Sequence, residues 1–184
     1  QIATPTGTSY SDTGLTVSTS YRYRVCAVDA AGNPGPFSNI SSATTPDTTP
    51  PSAPGTLTSD VVSSTQIDLS WGAATDDVGV TGYRVERCTG AGCSTFAQIA
   101  TPAGTSYSDT GVAGSTPYRY RVRAVDAASN PGAFSNISSA TTPDTTPPSA
   151  PGTLTSSAIS STQIDLSWGA ATDDVGVTGY RVER

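Results

Sequence analysis

Apolar and polar side chains alternate along this chain in short runs of period two. Gln66-Ile67-Asp68-Leu69-Ser70-Trp71 is the cleanest run, and Tyr83-Arg84-Val85-Glu86 and Tyr118-Arg119-Tyr120-Arg121-Val122-Arg123-Ala124 repeat the pattern. A strand places successive side chains on opposite faces, so each run predicts a strand with one buried and one wet face. Turn-rich stretches at 72–82 and 126–132 separate the runs. No stretch carries a helical period. An all-β sandwich of about seven short strands follows. Its predicted inward set is Leu57, Ile67, Leu69, Trp71, Tyr83, Val85, Ile99, Tyr107, Tyr118, Tyr120, Val122 and Ala124.

The pattern recurs. Gln1-Ile2-Ala3-Thr4-Pro5 returns at Gln98-Ile99-Ala100-Thr101-Pro102, Trp71 at Trp168 and Tyr83 at Tyr180, each at an offset of 97 residues. Residues 1–87 lie on 98–184 without a gap, and only eleven of these 87 positions differ (6, 15, 16, 17, 20, 26, 32, 36, 60, 61 and 62). The two segments Pro46-Asp47-Thr48-Thr49-Pro50-Pro51 and Pro143-Asp144-Thr145-Thr146-Pro147-Pro148 match completely. Such runs favour the polyproline II conformation and act as stiff spacers, so they mark the domain boundaries. The expected division is a C-terminal part of a repeat at 1–46, a linker at 47–51, a complete repeat at 52–143, a second linker at 144–148 and an N-terminal part at 149–184. Half a sandwich cannot bury Trp168 and Tyr180, so each end fragment is expected to be completed. Further tandem copies would do this, as would the tail of one chain docking head-to-tail on the next.

The residues then reach a family. Leu69-Ser70-Trp71, Thr81-Gly82-Tyr83-Arg84-Val85 and Tyr118-x-Tyr120-x-Val122-x-Ala124-Val125-Asp126 resemble strands B, C and F of a fibronectin type III domain, in that order. The resemblance covers essentially the whole chain and implies immunoglobulin-like β-sandwiches in tandem. Residues 1–46 would then supply strands C′, E, F and G, and residues 149–184 strands A, B and C. The linkers and the turn Asp29-Ala30-Ala31-Gly32-Asn33 are similar to modules appended to bacterial secreted hydrolases and surface proteins. There is no Arg-Gly-Asp tripeptide, so integrin-type recognition is not implied.

Composition narrows the chemistry further. His and Lys are absent, so the commonest general base and metal ligand is missing and Schiff-base chemistry is excluded. The two Glu residues, Glu86 and Glu183, are single outward strand positions. No catalytic set and no enzyme activity are therefore expected. A net charge of −6 argues against a nucleic-acid partner, which needs clustered positive charge. No apolar run approaches the roughly 20 residues needed to cross a bilayer. Glu86 is placed to pair across strands with an Arg, beside an outward row of Arg22, Arg24, Arg119 and Arg121 that reads most simply as a solvated face.

Four features carry candidate chemistry. Cys88 and Cys93, in Cys-Thr-Gly-Ala-Gly-Cys, are expected to close a tight disulfide loop in an oxidising, extracellular setting; reduced surface thiols are the alternative. Cys26 stands where the next repeat has Arg123 and should face outward, as an interchain or free thiol. Asp47, Asp76, Asp77, Asp126 and Asn130 should gather at one end of the sandwich, either as Ca²⁺ ligands or as ordinary turn residues. No other cofactor is implied. Asn39-Ile40-Ser41 and Asn136-Ile137-Ser138 fit the N-glycosylation sequon, which chance matches often. Near-identical repeats on stiff spacers lead to the expectation of a bacterial extracellular fibre, stalk or adhesin shaft whose partners are copies of itself. The alternative is a set of spacer modules in a secreted polysaccharide-degrading enzyme with its catalytic domain elsewhere.

Overall fold

The structure is a computed structural model and describes residues 1–184. It contains strands only: β1 (Ser20–Tyr23), β2 (Cys26–Val28), β3 (Pro34–Phe37), β4 (Ser41–Thr44), β5 (Thr58–Ser63), β6 (Gln66–Ser70), β7 (Val80–Thr89), β8 (Ala97–Ala100), β9 (Ser106–Asp109), β10 (Pro117–Asp126), β11 (Pro131–Phe134), β12 (Ser138–Thr141), β13 (Thr155–Ser160) and β14 (Gln163–Ser167). Strands β5–β12 form one complete sandwich. One sheet runs β5-β6-β9, and the other runs β11-β10-β7-β8 with β12 also paired to β10. All pairings are antiparallel.

The period-two runs dictate which side chains fill the space between the sheets. Along β10 every second residue is buried, and Tyr120, Val122 and Ala124 are fully so. They meet Ile67, Leu69 and Trp71 from β6 and its end, and Tyr83 and Val85 from β7. Each large apolar side chain removed from water contributes about 1.5–3 kcal/mol. Ile99 and Tyr107, expected inside, lie at the rim of this cluster, while Ala74 and Val112 enter it from loops that show no alternation. The Trp71 ring meets Tyr83 edge-on with centroids 5.5 Å apart.

Two further contacts seat the first strand and the linker. The Asn136 side chain accepts from Leu57 N at 2.8 Å and donates Nδ2 to Leu57 O at 3.1 Å, clamping the entry segment against the start of β12. That bond commits the nitrogen a glycan would need, so the Asn136 sequon reads here as a structural clamp. Pro51 O crosses Gly132 so closely that a Cβ there would lie 2.5 Å from it, which leaves room only for glycine.

The end fragments differ from expectation. β1 pairs with β4 and β2 with β3, and β13 pairs with β14, but residues 1–19 and 168–184 form no strands. The expected C′ and E strands of 1–46 and the expected C strand of 149–184 are thus not formed. The reason is pairing. In the complete repeat, β8 and β9 pair with β7 and β6, and β7 pairs with β10. At the 97-residue offset those partners fall outside this chain, and an unpaired strand leaves its backbone groups to water. Side chains follow the backbone. Val25 is 72% exposed where Val122 is 0%, and Tyr180 is 42% exposed where Tyr83 is 5%.

Candidate functional site

The carboxylates converge where the linker meets the complete sandwich. Asp47 lies in the linker, Asp76 in the β6–β7 loop and Asp126 at the end of β10, and one oxygen from each lies within 4.8 Å of the others. Local turns aim them. Asp76 Oδ1 accepts from Val78 N at 3.0 Å and Gly79 N at 2.9 Å, in a turn that Gly79 completes with φ +131°. Asp47 Oδ1 accepts from Thr49 N at 2.9 Å. With one oxygen of each tied to backbone, Asp47 Oδ2 and Asp76 Oδ2 are left buried with no hydrogen-bond partner. Asp126 is 2% exposed and accepts from Asn130 N and Asn130 Nδ2, both at 2.8 Å.

Two of the five expected residues stand apart from the three grouped carboxylates. Asp77 is exposed and lies outside the group, because the inward position of its turn belongs to Asp76. Asn130 turns its amide nitrogen toward Asp126 Oδ2 and, at 3.4 Å, toward Asp47 O, so it positions the carboxylates. A second group, Asp144, Asp173 and Asp174, stands at the next linker, again with Asp173 Oδ2 buried and unpartnered.

Burial opposes ionisation of Asp126, but donation from Asn130 and from the backbone of Ala128 and Ser129 outweighs it and holds the carboxyl below its ordinary value of 3.8. Asp68 is held low as well, by the Gln66 amide first and then by Ser108. A folded-state value below the unfolded one stabilises fully above pH 3.8 and is lost as pH falls beneath it. Melting temperature should therefore drop on acidification through that range. In Asp126→Asn the drop should be shallower, as a pH series of thermal melts would register.

A second polar group lies inside the sandwich. Asp109 is 2% exposed and accepts from Tyr120 Oη at 3.0 Å, from Gly111 N at 3.0 Å and from Arg87 Nη1 at 2.8 Å. Burial first, and then the Asp109 charge, hold the Tyr120 phenol protonated well above its ordinary range. Arg87 also reaches Gly111 O at 2.8 Å, so the network fixes the turn after β9. Sequence reading missed it. The available signal was an Asp placed two residues after the predicted-inward Tyr107, on the buried side of a short strand.

The outer face of the larger sheet is not bare. Arg121 pairs with Glu86 directly across β10 and β7, with Nε 2.7 Å from Oε2, and its guanidinium lies over Phe134 at 3.8 Å and Phe96 at 4.4 Å. Arg123 reaches Glu86 Oε1 at 3.8 Å. The cross-strand Glu86–Arg pair expected from the sequence is formed, and with two arginines and Phe134 around it Glu86 is only 7% exposed.

The cysteines sort as follows. Cys88 and Cys93 form a disulfide with Cα atoms 6.0 Å apart, and Arg119 Nη1 donates to Cys93 O. Cys26 is half-buried and unpaired in this chain. Closing so short a loop constrains the unfolded chain by about 2 kcal/mol. Reduction should lower unfolding free energy by that order in denaturant titrations. Thiol titration should find one reactive group per chain before reduction and all three cysteines after it.

Residues 52–141 match the model of the fibronectin type III domain. The chain belongs to the fibronectin type III family. Exoglucanase B of Cellulomonas fimi is 45% identical over 148 residues, 77% of this chain and 13% of that protein. Chitinase A1 of Niallia circulans is 43% identical over 141 residues, 74% of this chain and 19% of that protein. The chain thus spans under a fifth of the length of each of these relatives. A crystal structure of domains from titin superposes with a TM-score of 0.57 at 22% identity, over 71% of this chain and 44% of that one, and shares the fold. The fibronectin type III repeats here stand in tandem, with the Pro-rich linkers between them. Both of these relatives are named as enzymes, an exoglucanase and a chitinase.

Proposed function

We propose that this chain is a non-catalytic spacer segment of a secreted bacterial enzyme that degrades an insoluble polysaccharide, with the catalytic domain elsewhere in the protein. The observation that carries this reading is the identity of 45% and 43% to Exoglucanase B and Chitinase A1 over three-quarters of the chain, which fills a small share of each. The residues agree with it. A glycosidase needs two carboxyl groups facing one open site, whereas Asp109 and Glu86 are each consumed by Arg and Asp126 by Asn130. The Cys88–Cys93 disulfide fits an oxidising compartment outside the cell. Stiff linkers between sandwiches would hold two functional domains at a set separation, with each repeat adding on the order of 35 Å.

The test is a module swap. The chain alone should release no reducing sugar from cellulose or chitin. Put in place of the matching segment of Exoglucanase B or Chitinase A1, it should preserve hydrolysis of the insoluble polymer. Sugar release by the chain alone, or loss of hydrolysis in the swap, would overturn the reading. Sedimentation at the 18.6 kDa monomer mass at every concentration would count against the fibre expectation.

A further inference from the structure

We propose that two copies of this chain dock sheet face to sheet face through their complete repeats, with Arg84 and Arg123 of one copy meeting Asp60 and Asp68 of the other. Each of these pairs sets like charges directly opposite each other. Arg123 stands across from Arg84 on β10 and β7, and Asp60 stands across from Asp68 on β5 and β6. Side chains so placed lie about 4.5–5.5 Å apart at Cβ, and like charges there destabilise the sheet. The chain itself neutralises neither pair. Its ion pairs join Arg87 to Asp109, and Arg121 and Arg123 to Glu86, so Arg84 and Asp60 take part in none. Arg123 reaches Glu86 only at 3.8 Å, and its Nε is buried with no acceptor. Asp68 accepts from the neutral Gln66 amide at 2.8 Å.

The two outer faces are opposite in sign. On the larger sheet Arg84, Arg119, Arg121 and Arg123 surround the one carboxylate of Glu86. On the smaller sheet β5, β6 and β9 carry no cation at all. A shallow depression of about 540 Å³ lies over that second face, lined by Asp60, Asp68, Ser70, Ser106 and Ser108 among others. A guanidinium is a planar fork of N–H donors that pairs with carboxylates two bonds at a time. The serine hydroxyls offer acceptors for its remaining donors. Both pairs are directly opposed neighbours on a sheet, so two arginines meet two aspartates at matched spacing. A second copy presents that match ready-made, whereas a flexible acidic polymer would have to be ordered to supply it. Arg84 and Asp60, the two charges without an ion pair, are placed to meet each other. The two faces lie on opposite sides of one sandwich, so the contact is heterologous. Cys26 stands at the Arg123 position and Ser157 at the Asp60 position of the flanking repeats, so the contact belongs to the complete repeat.

The test is sedimentation of the 184-residue chain across a concentration series. It is run at about 10 mM and at about 1 M salt, where charges act over about 30 Å and about 3 Å. Association above the 18.6 kDa monomer mass is expected at low salt, with its loss at high salt. Asp60→Arg and Arg84→Asp replace none of the core side chains, and unchanged far-UV circular dichroism checks that both fold. Each alone sets like charges across the contact and should weaken association about tenfold or more. Mixed in equal amounts they should associate again, because the exchanged charges once more oppose each other. Asp60→Ser, which copies the residue at Ser157, should weaken association without reversing a charge. A monomer at every concentration in low salt would overturn the proposal. So would association that persists at high salt or is undiminished in the variants, and so would a mixture of folded variants that fails to recover. Capture of polyglutamate by a chain that stays monomeric would overturn it as well, by giving the arginines a different acidic partner.

Discussion

Replacing Trp71 with alanine should lower the unfolding free energy of the complete domain by about 3–5 kcal/mol, the usual cost of emptying a large aromatic site in a packed core. Trp71 is 6% exposed, contacts the Tyr83 ring and sits at the end of β6, where the two sheets meet. Its Nε1 is buried without an acceptor, so part of what the ring gains by burial is offset by an unsatisfied donor. Trp71→Phe should therefore cost well under half as much as Trp71→Ala, since it keeps an aromatic ring and removes the orphan N–H. An internal control is available. Trp168 occupies the same place at the 97-residue offset and meets Tyr180 at the same 5.5 Å, but it is only half-buried in this chain. Trp168→Ala should leave the main unfolding transition almost unmoved. Chemical denaturation followed by far-UV circular dichroism measures all three, and equal losses for the two alanine variants would contradict this account of the core.

The second large effect is at Asp109. Asp109→Ala strips Tyr120 Oη, Gly111 N and Arg87 of their shared acceptor. Breaking a buried pair by removing one partner costs about 3–5 kcal/mol. Here the lower end, about 3 kcal/mol, is expected, because the Arg87 side chain is 22% exposed and can turn to water. For a domain of this size that shifts the melting temperature by about 12–24 °C. Tyr120→Phe removes one hydrogen bond and should cost about 1 kcal/mol. Melting curves of the two variants side by side make the check. A loss at Asp109→Ala no larger than at Tyr120→Phe would mean that the arginine contributes nothing.

Both predictions draw on features of unequal visibility in the sequence. Trp71 was legible as a core residue because its run alternates strictly and neighbouring residues differ only in which face they meet. The same local rule identified Tyr120 and Val122, and the six-residue Cys-to-Cys spacing indicated a loop small enough to close. The carboxylate group was half legible. Turn-forming Asp residues could be assigned to one end of a sandwich, but Asp76 and Asp77 are adjacent and identical in kind. Only the turn, with both amides bonded to Asp76 Oδ1, decides which one points inward.

Sequence by itself determined that this chain is built of β-sandwich repeats in tandem and which strand faces are apolar, because the strand period acts within a few residues. Tertiary structure alone decided that Glu86 and Asp109 are buried, since a charged side chain leaves water only when a distant strand brings a partner, here Arg121 and Arg87. It also decided that residues 1–19 and 168–184 stay out of strands despite sequence nearly or fully identical to segments that form them elsewhere. A strand is completed by its neighbour's hydrogen bonds, and those neighbours are not set by the strand's own residues.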